Sequence, residues 1–445
     1  MPFDALPELG ALDSSGDGLR IPPDVTVPLT PRVRAIVDTP LFRRLARIGQ
    51  LGLVALVYPG AVHSRFEHSL GVYRLAVEFL ARLRHDATFS ASVEENDAAA
   101  FVVAALLHDV GHWAYCHPLE DMELPEVPTH ESLVRGLLTA DPVADVLRRE
   151  WRLDPGRVAA LIEGSATDPP ARLLHSLLSG PIDVDKMDYL ARDSLHAGVP
   201  YGRHFDQERL LASLCVDAAG TAVAITEKGR TAAELMVFAR YVMFSEVYWH
   251  HTVRAATAML QRCVWIARDA IDPGRLTMLD DSSFADWLLE ATRGTPAAGL
   301  ASGLFGPVRR LVKRVATFDA VHQPVVHQAL AGRPYAATAE IGMRLAAALS
   351  RRTGASVDPH TLLIDAPPAK REVEFRLQVR ERPVAGSAAA SWRPLADLSP
   401  VVRSLAHEQF DHLVKRVRIF APADAARDLA TLPDLDRLVL DACQG

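Results

Sequence analysis

An apolar stretch ending Leu106-Leu107 runs straight into His108-Asp109-Val110-Gly111-His112, which puts two imidazoles and a carboxylate in one short segment. On a helix, His108 and His112 would share a face one turn apart, with Asp109 rotated from them by about 100°. His68 precedes this group and Asp185 follows it. Two imidazoles with two carboxylates suit a first-row divalent metal that keeps positions open for water and substrate. Arg65 and Lys186 lie beside these residues in sequence. A planar guanidinium fork and a compact ammonium are the groups that hold phosphate oxygens. The chemistry suggested is that of a metal acting on a phosphate ester. A His-Asp pair alone is a frequent coincidence, and the flanking segments give this one its weight.

The elements that must position these groups read as helices. Thr30-Pro31 and Thr39-Pro40 are cap and first-turn pairs, each followed by apolar residues at helical spacing. Long helical patterns are predicted at about 66–84, 96–107, 130–139, 142–150 and 170–180, with little strand-like alternation before residue 210. Leu214 to Ile225 reads as a β-hairpin around a Gly-bearing turn, and Thr231 to Ala267 as an aromatic-rich helical stretch. Further strands are expected at Thr361 to Asp365, Glu372 to Val379 and Arg416 to Phe420, with a small-residue linker at Ser387 to Ser391. The predicted fold is mainly α, with a small β-hairpin and a smaller C-terminal α+β region. It divides into a poorly structured lead with short extended pieces (1–30), a helical catalytic body (31–330) and the C-terminal region (331–445).

A chain of 445 residues with formal charge −7 is not coated for nucleic acid. The basic groups Arg309-Arg310, Lys313-Arg314, Lys370-Arg371 and Lys415-Arg416 with Arg418 read first as solvated faces; nucleic-acid or nucleotide binding there is the secondary reading. Neither a dinucleotide fingerprint nor a phosphate-loop motif occurs. Cys116, Cys215, Cys263 and Cys443 are scattered and unpaired in sequence, which fits a reducing compartment. Each reads as a small buried hydrophobe, although Cys116 beside His117 is a candidate for oxidation. The N-terminal residues lack a signal-peptide pattern, and the longest apolar run, Ala98 to Leu107, is too short to span a bilayer. A cytoplasmic protein with no membrane association is expected.

Five segments taken together carry a family resemblance. They are Gln50-Leu51-Gly52, His63-Ser64-Arg65-Phe66-Glu67-His68, His108-Asp109 through His112 with His117, Thr129-His130-Glu131, and Ile182 to Asp193. In this order they resemble the HD-domain phosphohydrolases, especially the sterile-alpha-motif-and-HD deoxynucleoside triphosphate triphosphohydrolases and their bacterial relatives without the sterile-alpha-motif domain. The resemblance spans about residues 32–270. It implies an HD-type helical body in which His68, His108, Asp109 and Asp185 are the metal ligands. His63 competes on chemical grounds, but the family pattern selects His68. His112, His117 and His130 match site histidines. His117 is the preferred acid and His130 the second choice, with Glu120 or Glu131 orienting a partner.

The resemblance also implies Arg65 and Lys186 on phosphates, Tyr189 against the nucleotide, and Asp193 and Gln50 near the sugar. Leu51 would form an apolar wall that penalises a 2′-hydroxyl. His251 and Arg254 would reach distal phosphates, while Asp183 and Asp188 read as structural or solvent-facing neighbours. The implied reaction is hydrolysis of a deoxynucleoside triphosphate to deoxynucleoside and inorganic triphosphate by a homo-oligomer with one divalent ion, Mn, Mg, Fe, Co, Ni or Zn. The alternatives are an HD phosphohydrolase for a monophosphate, cyclic nucleotide or guanosine polyphosphate, and a nucleotide-responsive regulatory protein with little turnover. Asp38 fits the activator-binding segment of the animal members, but Ile21-Pro22-Pro23 and Ala46-Arg47 depart from it, which argues against nucleotide activation by that route.

Overall fold

The computed structural model describes residues 3, 5–12, 18–368, 376–383, 390–405 and 412–444. A short helical turn at Pro7–Leu12 precedes a two-stranded antiparallel hairpin, β1 (Gly18–Ile21) and β2 (Val25–Pro28). The lead is better anchored than its composition predicts. Glu8 is fully buried and accepts from Thr30 Oγ1 (2.8 Å) and Arg32 Nε (2.9 Å), and Ile21 and Val27 join the main core.

The helices that carry the motifs follow. Helix α1 (Arg65–Leu83) starts at Ser64, whose hydroxyl accepts from the Glu67 amide. It is buried on most sides and crosses α2 (Glu95–Leu107), an apolar helix whose residues Asp97 to Leu107 are all buried. A helix that is apolar all round belongs in a core, and α2 forms the floor beneath the site. α3 (Cys116–Glu120) begins after Tyr115, which adopts a left-handed backbone (φ 56°). α4 (His130–Thr139) is capped by Thr129, and α5 (Val184–His196) by the buried Asp183. These start signals are the Ser, Thr and Asp side chains that satisfy first-turn amides.

Strands β3 (Leu214–Val216) and β4 (Val223–Thr226) make the expected hairpin. Helix α6 (Arg230–Met243) continues into a wider π-helical turn over Phe244–Tyr248. The aromatic stretch is therefore not one long helix. It breaks at Trp249-His250, where the His250 ring accepts from the Thr252 amide (3.3 Å) and caps α7 (His251–Ile266).

The remaining strands are β5 (Lys313–Phe318), β6 (Leu363–Asp365), β7 (Gln378–Arg380), β8 (Trp392–Pro394) and β9 (Val417–Ala421). One antiparallel sheet has the order β5-β9-β6; the other runs β3-β4-β7-β8, with β7 parallel to β4. The first half of the expected 372–379 strand, Lys370-Arg371 and most of the 387–391 linker lie outside the described residues. The fold is a mainly helical body with small sheets, as the patterning predicts. Among the described residues no helix is long and apolar enough to cross a membrane.

Candidate functional site

His68 and His108 converge with their rings edge to face, 5.2 Å between centroids. His68, on α1, turns Nε2 toward Asp185 Oδ1 (3.0 Å) and Nδ1 toward Asp188 Oδ2 (2.8 Å). His108 donates from Nδ1 to the Ala105 carbonyl (2.9 Å), which leaves its Nε2 as a lone pair facing Asp109 Oδ1 (3.3 Å) and Asp185 Oδ1 (3.7 Å). That nitrogen is buried without a hydrogen-bond donor. Ligand atoms of His68, His108 and Asp185 lie within 4.8 Å of one another, and Asp109 Oδ2 is 3.9 Å from His68 Nε2. A buried acceptor nitrogen pointing at carboxylates calls for a cation between them, so these residues fit a divalent metal.

Electrostatics sharpen that reading. Burial by itself would lower the His68 pKa, but its hydrogen bonds to Asp185 and Asp188 push it up to about 10. Burial would raise Asp109, yet His112, His108 and Arg65 hold it well below the carboxylate range. The site is an anionic well that favours positive charge between His68 and the carboxylates, the place a divalent cation would take with His68 neutral. Behind it, Asp188 is gripped by Arg192 through Nε and Nη2, both at 2.8 Å. Asp188 is thus not solvent-facing. It holds the far nitrogen of a ligand-type imidazole, as outer carboxylates do in metal sites.

Helix α2 stops at Leu107, so His108 and His112 do not share a helix face as the spacing suggests. His108 is the C-terminal cap and the chain turns through Asp109 to Gly111. Arg44 takes the Val110 (2.8 Å) and His112 (2.9 Å) carbonyls left behind. A Cβ at Gly111 would sit 2.2 Å from the His130 carbonyl. The turn therefore delivers His112 to a second group instead. His112 Nε2 lies 3.2 Å from His117 Nε2, and its ring packs against His130 at 3.9 Å. Glu120 sits 3.0 Å from His130 Nδ1 and 3.6 Å from His117 Nδ1. Those imidazoles hold Glu120 far below its usual pKa against the opposing effect of burial. Glu131 is exposed, 3.6 Å from His130.

Both groups line one cavity of about 460 Å³, which Gln50, Leu51, Arg65, Lys186, Tyr189 and Asp193 also border. Arg65 is paired with Asp109 (2.8 Å) and Lys186 Nζ with Asp183 (2.5 Å). His63 joins Asp193 (2.9 Å) rather than the metal-type cluster. His251 and Arg254 are not brought to the cavity. Arg254 is buried against Asp365 (2.5 Å) because the break before α7 redirects the chain. Sequence reasoning passed over Arg240, Phe244 and Tyr248, which all line the cavity. Tyr248 donates to Asp193 at 2.6 Å. Only the wide turn after Met243 gives Tyr248 this position, and composition does not signal such a turn.

Comparison with known proteins agrees with this layout. The HD domain model matches residues 65–193, and the HD associated region model matches 205–434, more than half of the chain. The chain belongs to the HD-domain family. This HD protein is 37% identical over 242 residues to the uncharacterized protein YwfO of Bacillus subtilis, covering 54% of this chain and 53% of that one. It is 32% identical over 211 residues to the deoxynucleoside triphosphate triphosphohydrolase SAMHD1 of Bos taurus, covering 41% and 35%. The HD chain spans about half the length of the first curated relatives it matches. A hypothetical protein from Aquifex aeolicus shares the fold, with TM-score 0.69, 24% identity and coverage of 93% and 99%.

Proposed function

We propose that this HD-domain protein hydrolyses deoxynucleoside triphosphates to deoxynucleoside and inorganic triphosphate, with one divalent cation on His68, His108, Asp109 and Asp185. The observation carrying this reading is that one cavity borders the metal-type cluster, two phosphate-type cations and a polar-apolar wall. A bound cation supplies charge neutralisation at a phosphoryl oxygen and acidity to water. Arg65 and Lys186 exchange part of their pairing with Asp109 and Asp183 for phosphate oxygens, charge for charge. His117 holds the proton for the leaving oxygen, and Glu120 keeps His117 and His130 oriented. Gln50 Oε1 is buried without a donor, which supports its role as acceptor for a sugar hydroxyl. Leu51 beside it offers nothing to a 2′-hydroxyl, so ribose would bury an unpaired group.

The test is ³¹P NMR on metal-stripped protein given each deoxy- and ribonucleoside triphosphate, with Mn²⁺, Mg²⁺ or Co²⁺ restored separately. Inorganic triphosphate from deoxynucleotides, absent in Asp185→Ala, is the expected result. Orthophosphate or pyrophosphate would move the scissile bond and overturn the substrate pose. Silence with every triphosphate would overturn the triphosphohydrolase reading.

A further inference from the structure

A second convergence of ligand atoms borders the same cavity. One atom each from His112, Cys116, His117 and His130 lies within 4.8 Å of the others. We propose that these four residues form a separate zinc-type site, three imidazoles and one thiolate, whose occupancy takes the acid histidines out of service.

The ring orientations carry the argument. His112 Nδ1 faces oxygens of Asp109, the backbone carbonyl at 3.2 Å and Oδ1 at 3.1 Å. His130 Nδ1 lies 3.0 Å from both Glu120 oxygens, and His117 Nδ1 lies 3.6 Å from Glu120 Oε2. The oxygens within hydrogen-bond reach are acceptors, so in the neutral rings the protons of His112 and His130 belong on Nδ1, which leaves the His112 Nε2 lone pair turned toward His117. His112 Nε2 and His117 Nε2 face each other at 3.2 Å, a contact bridged by a proton when His117 is the acid and open to a cation when that proton is absent. A cation can take the place of that proton between them. Tetrahedral zinc with Zn–N bonds near 2.1 Å sets its nitrogens roughly 3.4 Å apart, so this pair already stands at the edge length of such a site.

The outer groups fit as well. Glu120 behind His117 and His130 is the carboxylate that steadies metal-bound imidazoles. One thiolate and the Glu120 charge together balance a divalent ion. Cys116 is 1% exposed and closes the protein side, whereas the His117 side chain is 56% exposed and leaves a path from solvent. On binding, the Cys116 S–H bond breaks, a sulfur–metal bond forms and the proton leaves to water. Thiolate makes this site select zinc-like cations over Mg²⁺ or Mn²⁺, which the carboxylate-containing cluster accepts. The two sites thereby differ in that only the carboxylate-containing cluster suits Mg²⁺ or Mn²⁺. The binding half stands on geometry alone; the inhibitory half rests on the proposed hydrolase reading, in which His117 is the acid.

Titration of the metal-free full chain with Co²⁺ tests the site without any substrate. A thiolate-to-cobalt charge-transfer band in the near ultraviolet is expected in the wild type and in Asp185→Ala. It should be lost in Cys116→Ser and Cys116→Ala, whose far-ultraviolet circular dichroism reports folding. Zn²⁺ added to the Mn²⁺-supported enzyme should inhibit wild type at concentrations about tenfold or more below those needed for Cys116→Ser, with the zinc-free rate of the variant unchanged. No band in the wild type, or a band surviving in folded Cys116 variants, overturns the site. Equal zinc sensitivity of the two proteins overturns the inhibition. If no nucleotide is turned over, the hydrolase reading fails while the cobalt spectra still decide the site.

Discussion

Asp188 shows how one side chain sets the behaviour of another. It takes the Nδ1 proton of His68 at 2.8 Å, which directs the Nε2 lone pair to Asp185 and the proposed cation. Its carboxylate is fixed in turn by two hydrogen bonds from Arg192, so the imidazole has little freedom to turn. Asp188→Asn is expected to weaken Mn²⁺ binding about 10- to 100-fold in chelator competition; unchanged affinity would reduce Asp188 to packing. The His251 ring gives a separate electrostatic test. Partial desolvation first, then His250, Arg314, Arg418 and Lys313, hold its pKa down to about 4. Between that value and the unfolded value near 6.5, the unfolded chain binds more protons. The contribution of His251 to stability is therefore complete above about 6.5 and is lost as the pH falls toward 4. NMR titration should place the His251 midpoint near 4, and Arg314→Ala should raise it. A wild-type midpoint near 6.5 would reject the basic field.

At the scale of elements, α5 carries Asp185, Lys186, Asp188, Tyr189 and Asp193, so its first turn governs the site. The cap Asp183 is fully buried and accepts from the Gly180 amide (2.8 Å), the Lys186 amide (2.6 Å) and Lys186 Nζ. Asp183→Ala removes these acceptors and should cost about 1–2 kcal/mol in urea unfolding, with Lys186 left without its carboxylate. A loss within error would show that water replaces the cap. Such starts were legible in the sequence because Thr129 and Thr30 announce helices through local chemistry alone. The ends were less so. The stop of α2 depends on Arg44, 66 residues before Val110 in the chain, and no local pattern around Leu107 signals it. The wide turn at Phe244–Tyr248 adds a residue to an aromatic stretch that reads as ordinary helix, and so hid the approach of Tyr248 to Asp193.

Across the whole molecule, that same break determines what Arg254 does. It reads as a phosphate ligand because it stands on a basic, aromatic-rich stretch, but long-range pairing gives it another duty. Its guanidinium grips Asp365 of β6, while Arg418 of β9 lies 3.6 Å from the same carboxylate and donates to the Trp249 carbonyl at 3.0 Å. Trp249 faces both guanidinium groups, with centroid distances of 4.4 and 5.9 Å. Burial, with Arg254 opposing Asp365, lowers the Arg418 pKa to about 10. One buried carboxylate thus balances two buried cations and joins the helix after the cavity to a sheet built from the last third of the chain. Asp365→Ala leaves both guanidinium groups without that charge, so the expected cost is about 3–5 kcal/mol rather than the small cost of a surface pair. Equilibrium urea unfolding followed by Trp fluorescence and far-ultraviolet circular dichroism should show the two signals falling together at a lower midpoint. Separated transitions in the wild type would mean that the sheet and the helical body are not tied through Asp365. Coincident transitions there, separated only in Asp365→Ala, would identify this carboxylate as the tie that makes the site and the C-terminal strands one cooperative unit.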